Sequence, residues 1–294
     1  MSRGIVLSVS ASCLFAIMYF YTSLLDPLNG EDIFGWRMLL TAPCMTVFML
    51  LSGDWKLVLA ICAQIRRKPL LVPQLLLSAA LLGVQMWIFL WAPLNGHSLN
   101  VSLGYFLLPL SMVLTGRIAY GEKLSRPQIL AALLAFGGVL NELIQIGSVS
   151  WTTLVVALGY PMYFVLRRRN GTDNLGGLWL DMALLLPVAW WFVHSGPQGF
   201  AVVDQRPALY ALIPLLGAIS AAALICYLLA SRLLAFGLFG LLGYVEPVLL
   251  VLVALLLGES IAPGEWLTYL PIWLAVLVLV LEGVKRLLRQ RRAL

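Results

Sequence analysis

Ten apolar runs, each about the 20 residues that a helix needs to cross a hydrocarbon core, follow one another along this chain with short connections. They lie near residues 4–25, 33–52, 70–92, 98–118, 126–145, 150–167, 175–195, 207–231, 237–257 and 264–286. In lipid such runs must be helices, because hydrocarbon offers no partner to an open backbone. Composition agrees. Only 11% of the 294 residues are charged and the mean hydropathy is +0.96, whereas a soluble domain carries about 25% charged residues. The first run exceeds a signal-peptide apolar region and lacks a small-residue cleavage site, so it reads as a retained helix. The expected fold is an all-α integral membrane protein of ten transmembrane helices.

The cations orient that bundle. With the N-terminus in the cytoplasm, every one of the 19 Lys and Arg except Arg37 and Arg206 falls in an inward-facing segment, as the positive-inside rule requires. An odd number of spans would move the cluster from Lys285 to Arg292 outward, so both termini are expected in the cytoplasm. Each basic cluster abuts a span, which assigns it to topology and lipid headgroups. Nucleic acid is not an expected partner, since no basic surface outside the membrane is available to it. The four cysteines are dispersed and form no CxxC pair, so neither a disulfide framework nor a metal site is expected. Walker A, GxSxG and HExxH patterns are missing too, so the reading is not an enzyme, needs no cofactor and makes no direct use of ATP.

Two echoes divide the chain. GYFLLPLSMVLTGRIAYGEKL (Gly104 to Leu124) and GYVEPVLLVLVALLLGESI (Gly243 to Ile261) share Gly-Tyr, a following proline (Pro109, Pro247) and a terminal Gly-Glu (Glu122, Glu259). Earlier in each half, Arg37 lies six residues before Pro43, and Asp181 six before Pro187. Five spans separate the copies, so the second copy is inverted in the membrane, as in many secondary transporters. The expected organisation is two inverted five-helix repeats, 1–146 and 147–294.

These phrases, with WRMLLTAP (Trp36 to Pro43), NGHSLNVSLGYFLLPL (Asn95 to Leu110) and GLLGYVEPVLL (Gly240 to Leu250), make the chain resemble the drug/metabolite transporter superfamily. Within it, the sequence is similar to the RarD-like branch of EamA-domain proteins over nearly its whole length. The resemblance implies a bacterial inner-membrane carrier with a central solute cavity. Relatives are implicated in chloramphenicol sensitivity or export amino acids, amphipathic metabolites or metal-chelating metabolites. The chain departs from the family where relatives carry prolines near Tyr19 and Ala223, a lysine near Ser23, and an acid at Asn100. The expected activity is secondary transport of a small amphipathic or carboxylate-bearing solute, an exporter working by alternating access with protons or the solute's own gradient as the drive; the alternative is a channel-like facilitative uniporter.

Ionisable groups inside spans mark solute or ion pathways by default. Glu246, deep in the ninth run, is the candidate for proton coupling and solute binding, with Pro247 expected to break the helix beside it; a structural acid that closes the kink or pairs with Arg37 is its plainer alternative. Arg37 presents a planar fork matched to a carboxylate, and snorkelling to headgroups is its plainer alternative. Asp181 is expected to pair with Arg167, Arg168 or Arg169, as an inner gate or as an interfacial acid. Pro109 and Pro247 are further gating candidates. Gln85, Trp87, Tyr105, Tyr163 and Tyr244 are expected to line the cavity, with Tyr19, Tyr21, Trp91 and Tyr160 nearby, while Trp151 and Trp266 fit an interfacial belt. Glu122 and Glu259 read as helix-capping acids, and His97 as a turn residue.

Overall fold

The computed structural model describes residues 2–94, 98–147, 149–196, 201–256 and 264–292, and every regular element among them is a helix. In order these are α1 (Ser2–Thr22), α2 (Gly30–Ser52), α3 (Trp55–Arg67), α4 (Leu71–Leu94), α5 (Ser98–Tyr120), α6 (Arg126–Ile146) and α7 (Trp151–Arg169). There follow α8 (Leu175–Ser195), α9 (Val202–Gln205), α10 (Leu209–Leu233), α11 (Phe236–Leu242), α12 (Val245–Leu256) and α13 (Trp266–Arg292). Among the described residues, seven helices are long and apolar enough to cross a membrane: α1, α2, α4, α5, α6, α8 and α10. The molecule is a multi-pass membrane protein. On α6, Leu133, Phe136, Leu140 and Ile144 are exposed while Ala131, Ala135 and Val139 are buried, the two faces of a 3.6-residue period, and the exposed face is apolar, as a lipid-facing helix requires.

Local chemistry sets the helix ends. Asn29 with Asp32 and Ser125 with Gln128 form capping boxes at the starts of α2 and α6, each satisfying two of the donors a helix start leaves open. Three elements differ from the sequence expectation, the short α9 in the connection 196–206 among them. Residues 53–69, read as a plain connection, contain α3, because a search for membrane-length apolar runs passes over a short amphipathic helix. The ninth run is not one helix but two, α11 and α12. Around the join the ladder tightens to i→i+3 bonds: Gly243 N–H to the Gly240 carbonyl (2.8 Å), Tyr244 to Leu241 (3.2 Å) and Glu246 to Gly243 (3.2 Å).

The chain forms two compact units, and each draws on both sequence halves. The first comprises residues 1–16, 97–161 and 229–294. In it α5 packs antiparallel on α11, through Gly240 against Met112 and Gly116 against the Gly237 amide. A Cβ on Gly240 would lie 2.5 Å from that of Met112, so only glycine admits this approach. In the same unit α6 runs antiparallel to α13, tied by Ser125 to Glu282 (2.8 Å) at one end and by Asn141 to Thr268 (2.9 Å) at the other. The second unit comprises residues 17–96 and 162–228. There α2 packs antiparallel on α8, with Gly35 against Val193 and Ala189, and the Trp179 indole donating to Thr46 Oγ1 at 2.7 Å.

Candidate functional site

In the second unit, Arg37 lies two turns into α2 and is half-buried. Its Nε donates to Ser220 Oγ at 2.9 Å, and Ser220 is wholly buried. One turn earlier on α10, Gly217 meets the backbone of Leu40, where a side chain would collide. Gly217 and Ser220 are three residues apart and share a helix face, so the glycine sets the close approach that brings the serine to Arg37. A guanidinium fixed through Nε is held in one orientation, which is the preorganisation that carboxylate recognition needs. Gln85 on α4 is buried in this unit and Trp87 is half-buried. The Tyr21 hydroxyl donates to the Leu212 carbonyl at 2.9 Å.

A second cluster of the same unit is fully closed. Arg167 and Asp181, 1% and 0% exposed, form an ion pair of 2.9 Å. Asp181 also accepts from Ser78 Oγ (2.5 Å) and from the Tyr163 hydroxyl (2.9 Å). The guanidinium donates further to Tyr163 and to the carbonyls of Thr172 and Asn174. Every oxygen of the carboxylate and every nitrogen of the guanidinium therefore has a protein partner. The sequence offered three arginines to Asp181, and the structure selects Arg167. Tyr163, expected along a cavity, is instead buried in this cluster. The arrangement ties the α7–α8 turn to α4.

In the first unit, Tyr244 is wholly buried and donates to the Phe106 carbonyl at 2.7 Å. Glu246 is half-buried in the first turn of α12, where the positive end of the helix dipole favours an acid. Pro247 does not break the helix, contrary to expectation. It sits at the third position of α12, where an amide would have no intrahelical partner. The Gly243 carbonyl four residues before it is taken by the Glu246 amide. Pro109 lies inside α5, which runs through it unbroken, and Tyr105 is half-buried on the same helix. Among the described residues no group of three or more His, Cys, Asp or Glu could hold a metal.

The model of the EamA-like transporter family matches residues 2–141. The chain is 43% identical to the chloramphenicol-sensitive protein RarD of Pseudomonas aeruginosa, over 99% of this chain and 97% of that protein. The chain belongs to the EamA/RarD-like drug/metabolite transporters. It is also 40% identical to an uncharacterized transporter of Pasteurella multocida, over 99% of both, and 28% identical to protein RarD of Escherichia coli, over 96% of this chain and 95% of that one. One solved crystal structure shares its fold, with a TM-score of 0.66 at 16% identity, covering 97% of this chain and 99% of that chain.

For this RarD-like chain the Tyr-Gly-Glu phrase acquires a physical meaning. Gly121 adopts φ +63°, a left-handed turn that ends α5 and returns the Glu122 amide to the Gly116 carbonyl at 3.1 Å. The Glu122 carboxylate then accepts the amides of Phe236 (2.7 Å) and Gly237 (2.8 Å), capping α11, whose own N-cap residue Ala235 has no side-chain acceptor. The capping role was legible in the sequence, but its recipient was not. Glu122→Ala should destabilise the protein by about 1–2 kcal/mol through loss of the cap, measured by thermal unfolding in detergent, with Glu122→Gln less affected. Equal stability of the alanine variant would mean that water replaces the carboxylate. Glu259 and His97 lie outside the described residues, as does the side chain of Trp91.

Proposed function

We propose that this chain is a secondary transporter that exports small amphipathic or carboxylate-bearing metabolites by alternating access. The observation that carries the reading is Arg37, a half-buried cation inside a membrane-length helix and held by Ser220. A cation at such a site is costly unless it serves a solute or a partner. Membership of a transporter family fixes the class of activity, and the anchored fork supports an anionic group on the solute.

The ten-helix, inverted-repeat architecture belongs to this proposal. Of the helices that echo each other in sequence, α2 and α8 pack antiparallel within one unit, as copies related by inversion would. The boundaries between units also fall at corresponding places in both halves: within α1 and within α7, then between α4 and α5 and near the end of α10. The family likeness supports an inner-membrane location, and the cation asymmetry supports cytoplasmic termini. A decisive experiment compares metabolites in medium and cytoplasm of cells with and without the gene. Depletion of one anionic metabolite from the medium of the knockout, with its retention inside, is expected. Unchanged pools across carboxylated metabolites would remove the export reading.

Glu246 remains the proton-coupling candidate of this proposal. Glu246→Gln keeps volume and hydrogen bonding but cannot titrate, so vesicle transport should lose its pH dependence while the protein stays folded. A wild-type pH profile in the variant would confine Glu246 to its place at the start of α12.

A further inference from the structure

The helix α3 occupies the connection between two membrane-length segments, Gly30–Ser52 and Leu71–Ile88, so it lies at a membrane boundary. At 13 residues it spans about 20 Å, too short to cross. One face is spoken for. Val58 and Ile61 are buried, and Ile61 and Ile65 pack with Leu71, Leu75 and Leu180. Gly176 of α8 meets the backbone of Leu57 and Val58, and Trp55 stacks edge-on against Trp179 at 4.9 Å. This docking fixes which side of α3 turns away.

The outward side carries Leu59, Cys62, Ala63 and Arg66, spaced as one helical stripe and all exposed, with Leu59 at 59%. A face bathed in water would not be built from leucine, cysteine and alanine. Cations lie at both ends: Lys56 at the start, and Arg66, Arg67 and Lys68 at the finish, all exposed. No acid occurs from Trp55 to Lys68. The nearest one, Asp54, accepts from Ser52 Oγ at 2.8 Å. Apolar residues that reach the acyl boundary, beside cations at headgroup depth, are the two requirements of an interfacial helix. We infer that α3 is a docking surface for anionic phospholipid, with Arg66, Arg67 and Lys68 holding the headgroup and Leu59 entering the acyl region. Because α3 is seated on α8, bound lipid braces the helix that carries Asp181.

The test uses full-length protein in detergent, titrated with phosphatidylglycerol or phosphatidylcholine, with retained lipid counted by native mass spectrometry and stability followed by thermal unfolding. Each cation near an anionic surface is worth about fivefold in affinity. Arg66→Gln/Arg67→Gln/Lys68→Gln should therefore weaken phosphatidylglycerol at least tenfold and leave phosphatidylcholine unchanged. Leu59→Gln should weaken both lipids. Arg117→Gln/Lys123→Gln, which removes two exposed cations outside α3, should cost phosphatidylglycerol less affinity than the triple variant does. Arg66→Gln alone should lose about fivefold, which keeps the test open if the triple variant folds poorly. Three results would overturn the inference: unchanged phosphatidylglycerol affinity in the triple or single variant, an equal loss in the Arg117/Lys123 control, or full thermal stabilisation by inorganic phosphate without lipid.

Discussion

Arg167→Ala should lower stability by about 3–5 kcal/mol, the cost of leaving a buried charge without its partner. Asp181 is 0% exposed and would retain Ser78 and Tyr163 as donors, but two hydroxyls do not balance a carboxylate. The carbonyls of Thr172 and Asn174 would lose the guanidinium and keep only the amides of Asn174 and Leu178, loosening the turn between α7 and α8. Arg167→Lys should recover only part of this, because one ammonium cannot reach the carboxylate and both carbonyls together. The double variant Arg167→Leu/Asp181→Leu removes both charges and should lie above either single alanine variant, since no uncompensated ion remains. Reversible unfolding or melting in detergent gives the comparison. A loss under 1 kcal/mol in Arg167→Ala would mean that water reaches the carboxylate and that the pair is peripheral to the fold.

Arg37→Gln should reduce affinity for carboxylated solutes by about 10–100-fold, the worth of a charge-assisted hydrogen-bonded pair, with a much smaller change for their amides. Arg37→Lys keeps the charge but gives up the planar fork and the Nε bond to Ser220. It should fall between wild type and glutamine. Binding of L-phenylalanine and L-phenylalaninamide, or of any carboxylate and amide pair the transporter accepts, separates recognition from packing. Equal losses for acid and amide would assign Arg37 to the α2–α10 contact, and selectivity would then pass to other side chains. Ser220→Ala offers a milder version: it leaves the charge in place and removes the orientation, so the carboxylate preference should shrink without vanishing.

The sequence by itself determined the membrane class, the place of the seven membrane-length helices and the family, because apolar length, composition and motif are local properties of the chain. It also determined that Glu122 caps a helix, since Gly-Glu at a helix end is a local signature. Tertiary structure alone decided who receives each polar group. Three arginines were equally plausible for Asp181 from spacing, and only the turn through Thr172 and Asn174 brings Arg167 to it. Tyr163 and Tyr244 carry the composition of cavity residues, yet both are buried with their hydroxyls committed. The join in the ninth run was placed at Pro247 because proline is the visible breaker, but the ladder tightens at Gly243, ahead of it. α3 escaped notice for a related reason: its amphipathic face has meaning only against α4 and α8, which supply the other side. Hydrophobic length is written along one strand of sequence, whereas the partner of a hydrogen bond or a packing face comes from distant residues, and only the folded chain sets that distance.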